Sequence, residues 1–319
     1  MQPSLDAFFI VDKPRGPTSH DVVARLRRAS GVRRIGHAGT LDPLATGVLV
    51  VAIGRATRLL EYVAGDDKAY VADVAFGVET DSYDAEGHVV ARTDASGLTA
   101  PRIVDTLGAF RGHLEQRPPA HSAISVGGKR LYELARAGRP VEAPLRSVFV
   151  RTIELRAWDP PVATLFVECS KGTYVRSLAH DLGRAVGTGA HLSGLRRTRS
   201  GAFTIERAIP LDALEARLRE GTWRTVAIPL DDAVGHLPAL ELSTESTKQL
   251  VNGVPVLRTD DRVLPVGTLL RAVDVHGRLV AVVELVERDG APHYRPVKVL
   301  STDASDASAG THDPYAAEE

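Results

Sequence analysis

A single cysteine, Cys169, in 319 residues excludes an internal disulfide framework and any cysteine-rich metal site, and it fits a reducing compartment. No stretch approaches the roughly 18 uninterrupted apolar residues of a membrane span, and the opening residues do not lead a positive segment into an apolar one. Neither a membrane anchor nor a signal peptide is therefore expected, and the expected location is the cytoplasm. The 11 histidines show no HExxH or other paired metal spacing, and there is no glycine-rich phosphate loop and no internal repeat. Lysine is scarce, with six among 39 basic residues. Four of the six (Lys13, Lys68, Lys129 and Lys171) fall in segments that stand out on other grounds, where a compact ammonium does what a guanidinium cannot. Charge of one sign is lacking too, since the net charge is −1. The last 19 residues, however, hold five acids and no Lys or Arg, which leaves +4 on the body. Any RNA partner must then be met by local clusters, of which Arg25, Arg27, Arg28, Arg33 and Arg34 form one and Arg196, Arg197 and Arg199 another.

What is present is ordinary for a globular chain, with 44% hydrophobic and 25% charged residues and length enough for two or three domains. Strands are expected at Phe8–Val11, Val48–Ile53, Tyr70–Phe76, Val148–Trp158 and Ala163–Cys169. Helices are expected after a Ser19 cap, over Ala56–Val63, from Pro101 to about Phe110, over Arg176–Val186 and near Leu192–Arg197. Residues 117–146 form an excursion marked by Pro118-Pro119 and Gly127-Gly128, with a short helix over Leu131–Ala137. Strands and helices mix without regular βαβ alternation, so the fold class is α+β. A boundary near residue 235 separates a body, 1–235, from a small β-rich module, 236–300, with strands at Thr268–Val275, Leu279–Glu287 and Tyr294–Leu300. Residues 301–319 read as a disordered acidic tail.

The most informative segment is Gly36-His37-Ala38-Gly39-Thr40-Leu41-Asp42-Pro43-Leu44-Ala45-Thr46-Gly47. It sets one carboxylate among three glycines, directly before a proline that biases Asp42 away from the helical region, and an apolar strand follows. A solitary acid on a shaped loop against a rigid strand suits a nucleophile. An Asp-Pro turn between helix and strand is the plain alternative on local pattern alone.

Four segments together resemble the TruB-type family of tRNA pseudouridine synthases. They are Val11-Asp12-Lys13-Pro14 with Gly16-Pro17-Thr18-Ser19, the Asp42 loop, Lys68-Ala69-Tyr70, and Cys169-Ser170-Lys171-Gly172-Thr173-Tyr174-Val175-Arg176. Ser122-Ala123, Gly128 to Glu133 and Gly189 to Arg199 add to the likeness, which covers roughly residues 8–204. The resemblance implies a pseudouridine synthase fold with a mixed, largely antiparallel sheet, a thumb insertion at about 117–146 and a PUA-like RNA-binding C-terminal domain. It implies isomerisation of uridine at position 55 in the tRNA T loop, with no cofactor, no obligatory protein partner, no membrane and a monomeric enzyme. Asp42 is then the catalytic aspartate and Arg176 the arginine that pairs with it. Such an arginine would hold the acid about 1–3 units below its free value. Tyr70 corresponds to the aromatic that stacks on the target base, His37 to a histidine near the flipped-out nucleotide, and Tyr174 and Leu195 to the uracil pocket. Lys13 is expected to brace the Asp42 loop through nearby carbonyls, and Lys129 to contact RNA from the thumb. His121 and Ser125 stand where the family commonly has tyrosine and lysine. A guide-RNA-directed pseudouridine synthase, a non-catalytic RNA-binding or tRNA chaperone protein, and a hydrolase using Cys169 are the alternatives.

Overall fold

In a computed structural model, the structure describes residues 5–119 apart from 64 and 66, residues 143–300, and the backbone alone at 125–126 and 129–130. The short helix expected at Leu131–Ala137 and the tail at 301–319 lie outside the described residues. The apolar runs of the sequence become the middle of one ten-stranded sheet. Its path runs Ile209–Pro210, Ala7–Lys13, Ala45–Ile53, Ala190–Ser200, Asp67–Phe76, Val162–Ser170, Arg146–Asp159 and Gly112–Gln116. Ile35–Ala38 pairs with Ala45–Ile53 off this path, and Phe203–Thr204 with Ala190–Ser200. Two pairings are parallel, Val11 with Ile209 and Leu195 with Ala45, and the rest are antiparallel, so the sheet is mixed and largely antiparallel.

Both faces of the Ala7–Lys13 and Ala45–Ile53 strands are covered, which explains their continuous apolar runs. Phe9, Val11, Leu49, Val51 and Ile53 pack under helices Ser19–Ser30 and Leu211–Glu220. Phe8, Ile10, Val48 and Val50 pack on the opposite face with Val282 and Leu300 of the C-terminal module. That module is a separate five-stranded sheet, Ala239–Glu241, Leu269–Val273, Leu279–Arg288, Ala291–Val299 and Val256–Leu257. It is also tied to the body by Lys298 on Glu61 at 2.8 Å.

Three expectations are corrected. The segment Leu192–Arg197, expected as a helix, is the centre of the eleven-residue strand Ala190–Ser200. Register shifts near Gly194 and between Arg197 and Arg199 break its two-residue alternation, so its local pattern mimics a helix. Ladders with strands on both sides override that local signal. The helix expected at Ala56–Val63 is a 3₁₀ segment, Gly54–Leu59, with one α turn, Leu60–Val63. The first helix is capped by Thr18, not Ser19, in a reciprocal box with Asp21. That one-residue shift leaves the Ser19 hydroxyl for another task, described below.

Gly47 shows how tightly the sheet centre closes. Its φ is +95°, and a Cβ there would lie 2.2 Å from the Arg197 carbonyl oxygen. Gly47→Ala therefore combines a disfavoured backbone conformation with a backbone clash. It should lower folding stability by about 2 kcal/mol or more, read as a fall in the urea midpoint at unchanged slope.

Candidate active site

The Asp42 loop is built from its ends inward. Leu41 and Leu44 are buried, at 4% and 2% exposure, and anchor it on either side of Asp42-Pro43. The Ser19 hydroxyl accepts from the Leu41 N–H at 2.9 Å and donates to the Leu41 carbonyl at 3.1 Å. Lys13 Nζ donates to the carbonyls of Ala45 at 2.6 Å, Pro14 at 3.1 Å and Pro43 at 3.4 Å. Burial pushes the Lys13 ammonium down to about 8, against the pull of Asp42. Arg197 is fully buried and donates from Nε to the Val48 carbonyl at 2.7 Å and from Nη2 to the Gly39 carbonyl at 2.9 Å. Two buried cations thus hold the backbone before and after Asp42.

Asp42 itself meets Arg176, which opens the helix Val175–Val186. Arg176 Nε lies 3.1 Å from Asp42 Oδ2, and Nη2 donates to Oδ1 at 3.4 Å. The arginine side chain is 6% exposed and the Asp42 side chain 38%, so the cation approaches from behind and the carboxylate faces open space. Arg176 Nη1 turns to a second acid, Asp84, at 3.1 Å, and to the Ser82 carbonyl at 3.4 Å. Asp84 is buried and held by the Ser82 hydroxyl at 2.6 Å and the Glu86 N–H at 3.0 Å.

This sharing corrects the electrostatic expectation. Asp42 was expected below the usual carboxylate range, yet it lies above it. Desolvation pushes its carboxyl up, Arg176 pulls it down, Asp84 pushes it up and Lys13 pulls it down. A guanidinium divided between two anions cannot offset the burial.

The other expected residues fall as follows. Tyr70 is buried on the Asp67–Phe76 strand, cross-strand from Arg197, with its phenol bonded to Arg197 and pushed up by burial. Leu195 is half-buried beside Ala45 and Ala72, and its carbonyl accepts from the Thr46 hydroxyl at 3.3 Å. Tyr174, half-buried, immediately precedes the Arg176 helix. His37 lies on the Ile35–Ala38 strand rather than in a loop, its ring edge-to-face with His20 at 5.5 Å. Its Nδ1 is buried without a hydrogen bond, and burial pushes the imidazole down. The side chain of Lys129 lies outside the described residues. Burial pushes the Cys169 thiol up to about 11, which suits packing rather than nucleophilic attack.

The basic clusters divide. Arg197 is internal, while Arg196 pairs with Asp12 at 2.8 Å and Arg199 with Glu168 at 2.6 Å, both in partly exposed ion pairs. Arg25 pairs with Glu215 and Asp212. Arg28, Arg33 and Arg34 are exposed and form no ion pair among the described residues.

Asp84 and Gln116 are functional candidates that sequence reasoning missed. Gln116 is buried, accepts from the Tyr174 N–H at 2.7 Å and donates to its carbonyl at 2.9 Å. The dense polar run Thr80-Asp81-Ser82-Tyr83-Asp84 was the available signal for Asp84, since such a run with Gly87 behind it marks a shaped loop.

A partly exposed carboxylate, Asp42, paired with a buried arginine that it shares with Asp84, is a group able to do covalent or electrostatic work. Comparison with known proteins narrows this to one class. Residues 27–175 match the TruB family pseudouridylate synthase N-terminal domain, and residues 176–235 the tRNA pseudouridylate synthase B C-terminal domain. The chain belongs to the TruB family of pseudouridylate synthases. It is 50% identical over 258 residues to tRNA pseudouridine synthase B of Symbiobacterium thermophilum, covering 80% of this chain and 84% of that protein. It is 40% identical over 304 residues to tRNA pseudouridine synthase B of Dehalococcoides mccartyi, covering 95% of this chain and all of that protein. Among solved structures it superimposes on an H/ACA RNP bound to a substrate RNA containing 2′-deoxyuridine, with a TM-score of 0.72, 26% identity, and 93% of this chain and 86% of that chain covered. A Cbf5-Nop10-Gar1 complex is similar at a TM-score of 0.71 and 28% identity, with 92% of this chain and 85% of that chain covered.

The charge sharing predicts a pH effect. With Asp42 read as the reacting anion, the acid limb of kcat/KM for pseudouridine formation is expected above the ordinary carboxylate range. Asp84→Asn removes a like charge that raises Asp42. Its rate–pH profile should therefore shift toward lower pH, whatever happens to the plateau.

Proposed function

We propose that this protein isomerises uridine to pseudouridine in tRNA, at position 55 of the T loop, with Asp42 as the reacting carboxylate. The observation that carries the reading is the Arg176–Asp42 ion pair with its carboxylate face open. The reaction breaks the bond from ribose C1′ to N1, rotates the uracil and joins C1′ to C5. The C5 proton leaves and N1 gains one, so no mass and no electrons are exchanged. An anionic oxygen serves equally in attack at C1′, in attack at C6 or in assisting a glycal route, and each needs Asp42 ionised beside the everted nucleotide. Tyr70 offers a ring for stacking, which is worth about 1–3 kcal/mol per base and offsets part of the cost of eversion. Tyr174 and Leu195 supply the apolar wall, and His37 and Lys13 shape the loop side. Lys129 in the 117–146 thumb, the exposed arginines 28, 33 and 34, and the C-terminal module, read as PUA-like, would grip the RNA backbone. Among the described residues no helix is long and apolar enough to cross a membrane; a single-chain enzyme working in the cytoplasm fits this reading.

The likeness to a guide-RNA particle favours a second reading, pairing with protein partners and a guide. The 40% identity over the whole of a tRNA pseudouridine synthase B supports the stand-alone form. Incubating the pure protein with an unmodified tRNA transcript, without guide RNA, and mapping pseudouridine decides between them. Modification at position 55 alone is expected; none, or modification elsewhere, overturns the proposal.

Two variants sharpen it. Asp42→Asn should abolish conversion while tRNA binding survives. Because the folded chain holds the Asp42 proton more tightly than the unfolded chain, ionisation above the ordinary carboxylate value costs stability. Asp42→Asn should accordingly raise Tm at neutral pH. Tyr70→Phe should keep binding and lose rate if the phenol takes part in proton transfer, read by single-turnover kinetics.

A further inference from the structure

Behind the ion pair lies a contact between two rings that no step above uses. Tyr83 has φ +64°, a left-handed conformation that glycine and asparagine adopt readily and an aromatic residue does not. It stands between Ser82 and Asp84, the two acceptors of Arg176 Nη1. Its ring is stacked on His180, with centroids 3.9 Å apart and planes 12° from parallel. His180 follows Arg176 by four residues on the helix Val175–Val186, so both project from one helix face onto one loop. The loop is bound on its far side to the central strand, where the Leu192 N–H donates to the Tyr83 carbonyl at 3.0 Å and the Ala85 N–H to the Leu192 carbonyl at 2.9 Å. The Thr80 hydroxyl donates to the Asp84 carbonyl at 2.7 Å.

These backbone and hydroxyl bonds would form equally well with glycine at 83, at lower conformational cost. What glycine could not supply is the ring. We propose that the Tyr83–His180 stack is a positioning element, which clamps the Ser82–Asp84 segment against the helix so that Arg176 presents its other edge to Asp42. His180 suits the task because burial keeps its imidazole neutral, and its buried Nδ1 makes no hydrogen bond, with Glu79 Oε2 at 3.6 Å. The inference rests on reading Asp42 as the reacting carboxylate.

Tyr83→Gly separates the ring from the backbone, since glycine relieves the positive φ while deleting the stack. The single-turnover rate constant should fall by about fivefold, the scale of one aromatic pair, with KM for tRNA unchanged and Tm not lowered. The acid limb of the rate profile should move to lower pH, because a loosened Asp84 raises Asp42 less, while Arg176 and Lys13 still pull it down. Tyr83→Asn, which also tolerates the left-handed region, serves if the glycine variant does not fold. Tyr83→Phe and His180→Phe keep two stacked rings and should retain the wild-type rate, whereas His180→Ala should copy Tyr83→Gly. The proposal is overturned if Tyr83→Gly and Tyr83→Asn turn over within twofold of wild type, or if their loss comes with an unmoved pH limb and a matching fall in Tm. Asp42→Asn assayed in parallel tests the underlying reading alone: retained conversion there removes Asp42 as the reacting group, whichever way the Tyr83 variants behave.

Discussion

The guanidinium of Arg176 is buried, and a buried charge is tolerable only when it is paired and hydrogen-bonded. It could have been given wholly to Asp42. A fork shared by one carboxylate alone would hold that acid far down, anionic at every physiological pH but weakly basic and weakly nucleophilic. Division with Asp84 changes the balance. Arg176 remains satisfied and Asp42 keeps a cationic neighbour at 3.1 Å, while burial first, and Asp84 after it, hold the proton affinity of Asp42 above the ordinary value. The proton affinity of the partly exposed acid is thus tied to a buried one, Asp84, through the arginine they share.

The same economy governs the other cations. Lys13 and Arg197 spend their hydrogen bonds on backbone carbonyls at Pro14, Gly39, Pro43, Ala45 and Val48, which lie around the Asp42 loop. A loop carrying one reactive group needs its backbone fixed before substrate arrives, and buried charged donors fix carbonyls more firmly than neutral ones. This is why basic residues in an RNA-modifying chain are a poor guide to where RNA lies. Arg196, Arg197 and Arg199 look like a phosphate-binding cluster in sequence, but their partners are Asp12, Val48 and Gly39, and Glu168. Exposure without an ion pair among the described residues, as at Arg28, Arg33 and Arg34, is the better mark of a cation available to a polyanion.

What could be read from the sequence follows the range of the interaction. The Asp42 loop was readable because its shape is dictated locally by glycines and a proline, and the strands Ala7–Lys13 and Ala45–Ile53 because burial on both faces leaves an unbroken apolar run. The long motif around Arg176 was readable by likeness to a family. The Ala190–Ser200 strand was not, because two irregularities scramble its alternation and its identity comes from neighbours far away in the chain. Asp84, Gln116 and the internal pairing of the Arg196–Arg199 cluster were hidden for the same reason: each acts through a partner dozens to nearly two hundred residues distant. The Asp42 proton affinity was misjudged because the sequence shows neither its burial nor the second acid, Asp84, that shares its arginine.

Some of the fold's unsatisfied polar atoms lie on the elements that carry Asp42 and Arg176. Of the four buried side-chain polar atoms without a hydrogen bond among the described residues, His37 Nδ1 lies on the strand that leads into the Asp42 loop and His180 Nδ1 on the helix that carries Arg176, while Ser200 Oγ and Thr247 Oγ1 lie elsewhere. Tyr83 holds a backbone conformation disfavoured for its residue type within the same network. Each departure costs free energy that a structure selected for stability alone would recover. Those on the elements that carry Asp42 and Arg176 sit beside a sheet whose central strands are buried on both faces, which supplies the stability that lets them persist.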